Sequence, residues 1–297
     1  MNSFYGTGVA LVTPFKSDKS VDHVALERIV EHNIQNGTNY LVISGTTGES
    51  VTITKKEKKE IIQTVHSANG GRVPMVLGIG GNNTAGIIDE IQNTDLGNID
   101  AILSVSPYYT KPTQEGIYQH YKAIAEQCPL PIIMYNVPGR TSSNMLPATT
   151  LRLANDFKNI IGIKEACNNV AQYLQVLKNK PEDFLVISGD DDLVLGVVLA
   201  GGAGVISVIG QAFPKEFSKM IRLGLEGNAK EAYKIHFSLM GLTSAIFEEN
   251  NPAGIKAVLA ELDLCDATVR LPLVPASDGL KHKIKDLVRE FCQPAVR

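Results

Sequence analysis

The sequence predicts an α/β fold: a (β/α)8 TIM barrel with a C-terminal helical appendage. Eight short β-branched runs recur at intervals of roughly 20 to 35 residues, each followed by a helix-like segment, which is the βα signature of a parallel sheet. The runs are continuously apolar rather than alternating, as strands covered on both faces must be. The first turn, Leu11-Val12-Thr13-Pro14-Phe15, carries no G-x-G-x-x-G, which argues against an open doubly wound sheet.

The strands are expected at residues 8–12, 40–44, 75–79, 101–105, 132–135, 160–164, 184–188 and 204–208. Between the first two, Val24, Leu26, Ile29, Val30 and Ile34 make an apolar stripe closed by Asn36-Gly37, a suitable C-cap. Thr54-Lys55-Lys56-Glu57 is a capping box opening a helix that runs through Ile61, Ile62 and Val65. Residues 114–127, 168–178 and 214–224 read as later crossovers. Residues 194–210 are almost wholly apolar, but they contain five glycines and fall just short of the ~18 residues a membrane span needs. A buried helix running into a buried strand is expected there. Beyond residue 228 the pattern is helical, at 229–247, 252–262 and 277–291. The expected division is a catalytic barrel over residues 1–224 and a helical region over 225–297 packed upon it.

With 28 basic against 31 acidic residues the formal charge is −3, so no basic field exists for nucleic acid or an anionic membrane. A small-molecule substrate is the class that remains. Cys128, Cys167, Cys265 and Cys292 lie far apart without a CxxC pair, poor material for a disulfide framework or zinc site. The opening MNSFYGTGVA lacks the charged and long apolar regions of a signal peptide, so a soluble, cytoplasmic protein is expected.

In a TIM barrel the chemistry collects at the C-terminal ends of the strands. Lys164 closes the apolar run Ile160-Ile161-Gly162-Ile163, which places it inside or at the mouth of the barrel. A poorly hydrated ammonium loses its proton more readily, and the free amine can condense with a ketone or aldehyde to a Schiff base. The plain alternative is a lysine paired with Glu165 and pointing to solvent. Tyr135 ends the neighbouring strand, where a phenol can relay protons, or it is a core tyrosine bonded to a carbonyl. Thr46 and Thr47 can bind a carboxylate through hydroxyls and turn amides, or form an ordinary turn. Arg140 can hold a second carboxylate in a bidentate fork, or be a solvated loop arginine. The six histidines fall mostly in helix-like segments and form no HxxxH, so no metal and no other cofactor is expected. Asp190-Asp191-Asp192 reads as structural, acidic residues suiting the dipole of a helix that they open.

Gly45-Thr46-Thr47-Gly48-Glu49-Ser50, Pro107-Tyr108-Tyr109, the run from Tyr135 through Asn-Val-Pro-Gly-Arg140-Thr141, and Gly162-Ile163-Lys164-Glu165-Ala166 together resemble the dihydrodipicolinate synthase family. That family belongs to the pyruvate-dependent Schiff-base lyases and aldolases, and the resemblance runs from Thr13-Pro14 through Asn251-Pro252. The wider group shares the Gly-x-Thr-Gly-Glu loop, the tyrosine and the lysine; the arginine of Asn-Val-Pro-Gly-Arg-Thr is the more selective feature. The resemblance implies that Lys164 forms an imine with pyruvate, and that Tyr135 relays protons together with Thr46 and Tyr109, the latter from a neighbouring subunit. It implies that Thr46 and Thr47 hold the pyruvate carboxylate, that Arg140 receives the carboxylate of L-aspartate-4-semialdehyde, and that Gly189 and Ile206 line the pocket. A homotetramer built as a dimer of dimers, at the start of the diaminopimelate route to lysine, is implied as well. An N-acetylneuraminate lyase, a keto-deoxy sugar acid aldolase and a non-catalytic keto-acid-binding barrel are the alternatives.

The resemblance also implies an allosteric lysine pocket at a dimer interface. Ser50, Asn82 and Tyr108 match it, whereas Lys55 and Lys58 stand where sensitive relatives often carry histidines, and Gly86 where they carry a glutamate. A cationic pocket lacking its carboxylate is expected to bind a dibasic amino acid poorly. The Lys55–Glu60 charge run is equally well a solvated helix face.

Overall fold

Runs of Val and Ile pack well on a pleated surface covered from both sides, and here every such run becomes a strand. The structure, a computed structural model, describes residues 3–292. Its strands are β1 Gly6–Ala10, β2 Tyr40–Ile43, β3 Met75–Gly78, β4 Ala101–Val105, β5 Ile132–Asn136, β6 Ile160–Glu165, β7 Leu185–Ser188 and β8 Gly204–Ser207. All are parallel, and they close in sequence order with β8 against β1. The largest departure from expectation is β1, which ends at Ala10 because the Gln211 side chain, not a strand, takes the Val12 N–H at 2.9 Å.

The helices follow from their caps. Helix α1, His23–Gln35, opens on Asp22, which accepts the Ala25 N–H, and ends at Asn36 with Gly37 beyond it at φ +96°. Helix α2, Lys55–Asn69, carries both halves of the expected capping box. Helices α3 Thr84–Asn93, α5 Pro138–Thr141 and α6 Pro147–Asp156 fill crossovers for which the sequence sets no bounds. Their start signals are Asn83 as N-cap and Pro at the first helical position, respectively. Helix α4 spans Gln114–Gln127, and α7 spans Val170–Asn179, starting two residues after the expected Asn168 because Asn169 is its cap. The apolar stretch resolves into α8, Val194–Leu199, followed by β8. No helix among the described residues is long and apolar enough to cross a membrane. Helix α9, Pro214–Leu225, is the last crossover; α10 Ala229–Ala245, α11 Ala253–Glu261 and α12 Asp278–Cys292 follow. Helix α10 packs on α9 and α12, and α11 packs on α12. Residues 1–2 and 293–297 of the expected units lie outside the described residues.

Alternate side chains divide between two apolar layers. Tyr40, Val42, Val76, Leu103, Ile133, Ile187 and Ile206 fill the barrel interior, while Leu41, Ile43, Leu77 and Ile163 pack outward toward the helices. Phe4 meets Tyr40 edge-on with ring centroids 5.5 Å apart and closes the floor, and the Tyr40 hydroxyl donates to the Val205 carbonyl. With the floor plugged, the barrel interior opens at the opposite end.

Closure depends on the pairing of Gly6 with Gly204. Gly204 lies at φ +141°, and a Cβ there would fall inside the carbonyl of Gly6. Gly204→Ala should therefore lose about 2–5 kcal/mol from strain and overpacking. Urea denaturation measures this, with Gly139→Ala, whose Cβ meets nothing within 4 Å, as the control expected to change stability little.

Candidate active site

Because all eight strands run the same way, their C-terminal ends surround one mouth. A cavity of about 980 Å³ opens there, lined by Thr46, Thr47, Tyr135, Arg140, Lys164, Gly189, Asp191 and Asn251. It extends sideways to Ser50, Lys55, Lys58 and Glu90.

Lys164 and Tyr135 stand in register on neighbouring β6 and β5, so both point inward at one level. The Lys164 Nζ lies 4.4 Å from the centroid of the Tyr135 ring, and both residues are buried. Loss of hydration lowers the Lys164 pKa from its ordinary value to about 8; the Asp191 charge raises it and the Arg140 charge lowers it further. Burial also raises the Tyr135 phenol, against the opposing effects of the Arg140 cation and a hydrogen bond with Thr46. Gly189 makes room for the amine, since a Cβ there would come within 2.9 Å of the Lys164 Cε.

Strand alternation settles the alternative of a Lys164–Glu165 pair. Glu165 points out of the barrel, where its carboxylate accepts from Asn136 Nδ2 at 2.9 Å, Gln172 Nε2 at 3.0 Å and the Cys167 N–H at 3.1 Å. Burial raises its pKa. Asn136 in turn accepts the Met145 N–H at 3.0 Å and donates to Asn144 at 2.8 Å. This outer network ties both ends of the segment carrying Arg140, which itself stands exposed at the rim of the cavity.

The opposite rim is the loop from Gly45 to Ser50. Thr47 is buried, and its Oγ1 accepts from Asn251 Nδ2 at 3.1 Å. Thr46 is exposed to the cavity. Glu49 holds a left-handed conformation at φ 53° and is buried against Lys256 at 2.6 Å.

Two expected site residues lie elsewhere in the chain's own structure. Tyr109 is 86% exposed, at φ +71°, and does not line the cavity. Ile206 is buried in the interior cluster and is not among the lining residues. Asn82 donates to the Tyr108 carbonyl at 3.3 Å, and Tyr108 is about one-third exposed. The lateral pocket does contain a carboxylate, contrary to expectation: Glu90 lies on the same helix as Gly86, one turn later. Its Oε1 is 2.6 Å from the Lys58 Nζ, which also donates to the Gly78 carbonyl at 2.9 Å.

The acidic triplet also differs from expectation. It occupies the turn before α8, whose first turn has no acidic residue. Asp191 is buried at the cavity, its Oδ2 accepting the Val208 and Ile209 N–H groups at 3.0 Å each, and its Oδ1 has no partner. Burial raises its pKa to about 6. Its position after β7 was the available signal for Asp191; Asn251 and Glu90 had none, since neither ends a strand. Among the described residues no group of three or more His, Cys, Asp and Glu side chains could hold a metal ion.

The sequence matches the dihydrodipicolinate synthetase family over residues 3–291. It is 57% identical over 284 residues to the 4-hydroxy-tetrahydrodipicolinate synthase of Flavobacterium psychrophilum, covering 96% of this chain and 97% of that one. The dihydrodipicolinate synthase structure from Thermotoga maritima superposes with a TM-score of 0.95 at 38% identity, covering 98% and 99% of the two chains. That of the chloride-inhibited Acinetobacter baumannii dihydrodipicolinate synthase complexed with pyruvate gives 0.94 at 37% identity, covering 97% and 99%.

The amine must be neutral to attack a carbonyl, so reductive labelling of Lys164 by a keto acid should rise with pH and level off above about 8. Asp191→Asn removes the charge that favours the ammonium, and the whole rise should move to lower pH. Peptide mass spectrometry of the Lys164 adduct across a pH series measures both.

Proposed function

This chain belongs to the dihydrodipicolinate synthetase family, and on that premise we propose that it catalyses the 4-hydroxy-tetrahydrodipicolinate synthase reaction, condensing pyruvate with L-aspartate-4-semialdehyde. It is an enzyme, a lyase of the Schiff-base aldolase type. The observation that carries the reading is the buried Lys164 amine against the Tyr135 ring, at a mouth whose rims bear Thr46–Thr47 and Arg140.

The Lys164 amine adds to the pyruvate ketone, giving a carbinolamine that loses water to form the imine. The protonated imine withdraws electrons from the adjacent methyl group, which gives up a proton through the Tyr135 relay and leaves the enamine. The enamine carbon attacks the aldehyde, and the substrate's own amine then attacks the imine carbon, closing the ring and displacing Lys164. Tyr135, which shares the cavity with Thr46, carries protons to and from the carbinolamine and alkoxide. Thr47 and the adjoining turn hold the pyruvate carboxylate. Arg140, free at the rim, takes the carboxylate of the aldehyde substrate. Gly189 leaves the amine its space.

Tyr109 completes the proton relay from a neighbouring subunit of a homotetramer; its ring, 86% exposed on a left-handed backbone and without a side-chain hydrogen bond among the described residues, supports this. Among the described residues, those up to 224 form the catalytic barrel and those from 225 the helical region on it, as the packing of α10 on α9 supports. The protein works in the cytoplasm, consistent with four free thiols.

Borohydride with pyruvate should add a stable mass to Lys164, and Lys164→Ala should abolish it. In an aldehyde panel followed by product mass spectrometry, aspartate semialdehyde should be the productive partner. Turnover with a sugar-derived aldehyde in its place would assign the chain to a different aldolase. Because Glu90 is already bound by Lys58, L-lysine is expected to leave the purified enzyme almost uninhibited at submillimolar concentration, as initial-rate measurements will test.

A further inference from the structure

Both rims of the cavity are held by groups behind them, and on the Thr46–Thr47 side those groups come from beyond the barrel. Asn251, just before α11, is 5% exposed, and its Nδ2 donates to the Thr47 Oγ1 at 3.1 Å. A hydroxyl offers one hydrogen and two lone pairs. With the Asn251 amide on a lone pair, the Thr47 hydrogen is left to donate elsewhere, and Thr47 lines the cavity.

The loop itself is anchored from the same region. Glu49 sits in the left-handed conformation at φ 53°, one that a residue with a Cβ adopts only when its surroundings impose it. Its two carboxylate oxygens accept from the Lys256 Nζ at 2.6 Å and the Arg270 N–H at 3.0 Å. Lys256 is fully buried, donates also to the Thr268 carbonyl at 2.8 Å, and lies 4.2 Å from the centre of the Phe15 ring. A buried ion pair whose ammonium also meets a carbonyl and a ring face is a rigid fixture, so the loop meets Asn251 at a fixed distance.

We propose that Asn251 is a positioning residue that sets the donor direction of Thr47, keeping its hydroxyl hydrogen aimed at the carboxylate of the keto-acid substrate. The inference rests on the reading that Thr47 holds the pyruvate carboxylate. An amide in this place gives the anion a donor; a carboxylate would claim the Thr47 hydrogen and turn the lone pairs toward the anion.

The test is steady-state kinetics and thermal melting of Thr47→Val, Asn251→Ala and Asn251→Asp in the full chain. Thr47→Val and Asn251→Asp should each raise the pyruvate KM about tenfold or more, the scale of one hydrogen bond to a charged group. Asn251→Ala, with no acceptor to compete, should raise it by less, and the KM for the aldehyde should stay within about twofold in all three, since a general loosening would move both. If Asn251→Asp fails to fold, Asn251→Ala decides by its KM split at an unchanged melting temperature. A raised pyruvate KM in Thr47→Val with both Asn251 variants at the parent value overturns this inference alone. An unchanged KM in Thr47→Val overturns the carboxylate assignment, and the inference falls with it.

Discussion

Parallel strands leave unpaired N–H and C=O groups at the edges of any open sheet, and the ring formed when β8 meets β1 removes both edges at once. The rest of the molecule depends on that closure. It directs every strand's C-terminal end to one mouth, and it forces neighbouring residues of each strand onto opposite faces. Lys164 is thereby committed to the interior and Glu165 to the helical layer, although they are adjacent in sequence and opposite in charge. Phe4 and Tyr40 plug the other end, and a roomy polar cavity opens at the mouth.

Dry surroundings then decide how each charge behaves. A buried ammonium or carboxylate is tolerated only if it is neutralised, hydrogen-bonded or paired. The structure uses all three solutions within a short span. Lys164 is pushed toward the free amine, with Asp191 and Arg140 acting on it in opposite senses. Glu165 is met by two side-chain amides and a backbone N–H. Glu49 and Lys256 neutralise each other. The near-neutral surface charge is consistent with this arrangement, because anion recognition is concentrated in a few oriented groups rather than spread as a field.

The two rims are positioned by different devices. On the Arg140 side, Asn136, Asn144 and Gln172 form an amide network behind β5 and β6. On the threonine side the holding groups are Asn251, Lys256 and Arg270, from the segment that follows α10. Arg270 reaches further, to Glu57 in the capping box of α2, so loop, helix start and C-terminal segment are tied together. The helical appendage therefore contributes to the geometry of the mouth and does more than cover apolar surface.

Much of this was legible in the chain. The unbroken apolar runs and their spacing determine eight buried parallel strands, because a strand covered on both faces needs no polar alternation. The capping box at Thr54–Glu57 and the Asn36-Gly37 stop are local, since backbone groups at a helix end are satisfied within a few residues. Lys164 and Tyr135 were readable as strand-end residues for the same reason. The bounds of α3 are not legible, because its stripe is short and its cap is an asparagine, and Asp191 suits a helix start by sequence although its partners are at the end of β8. What only the tertiary structure decided is which distant groups meet: Asn251 with Thr47, 204 residues away, Lys256 with Glu49, 207 away, and Glu90 with Lys58. Local pattern carries the period of each element, whereas partnership between elements depends on how the closed ring and its outer helices bring their ends together, and no spacing in the sequence records that distance.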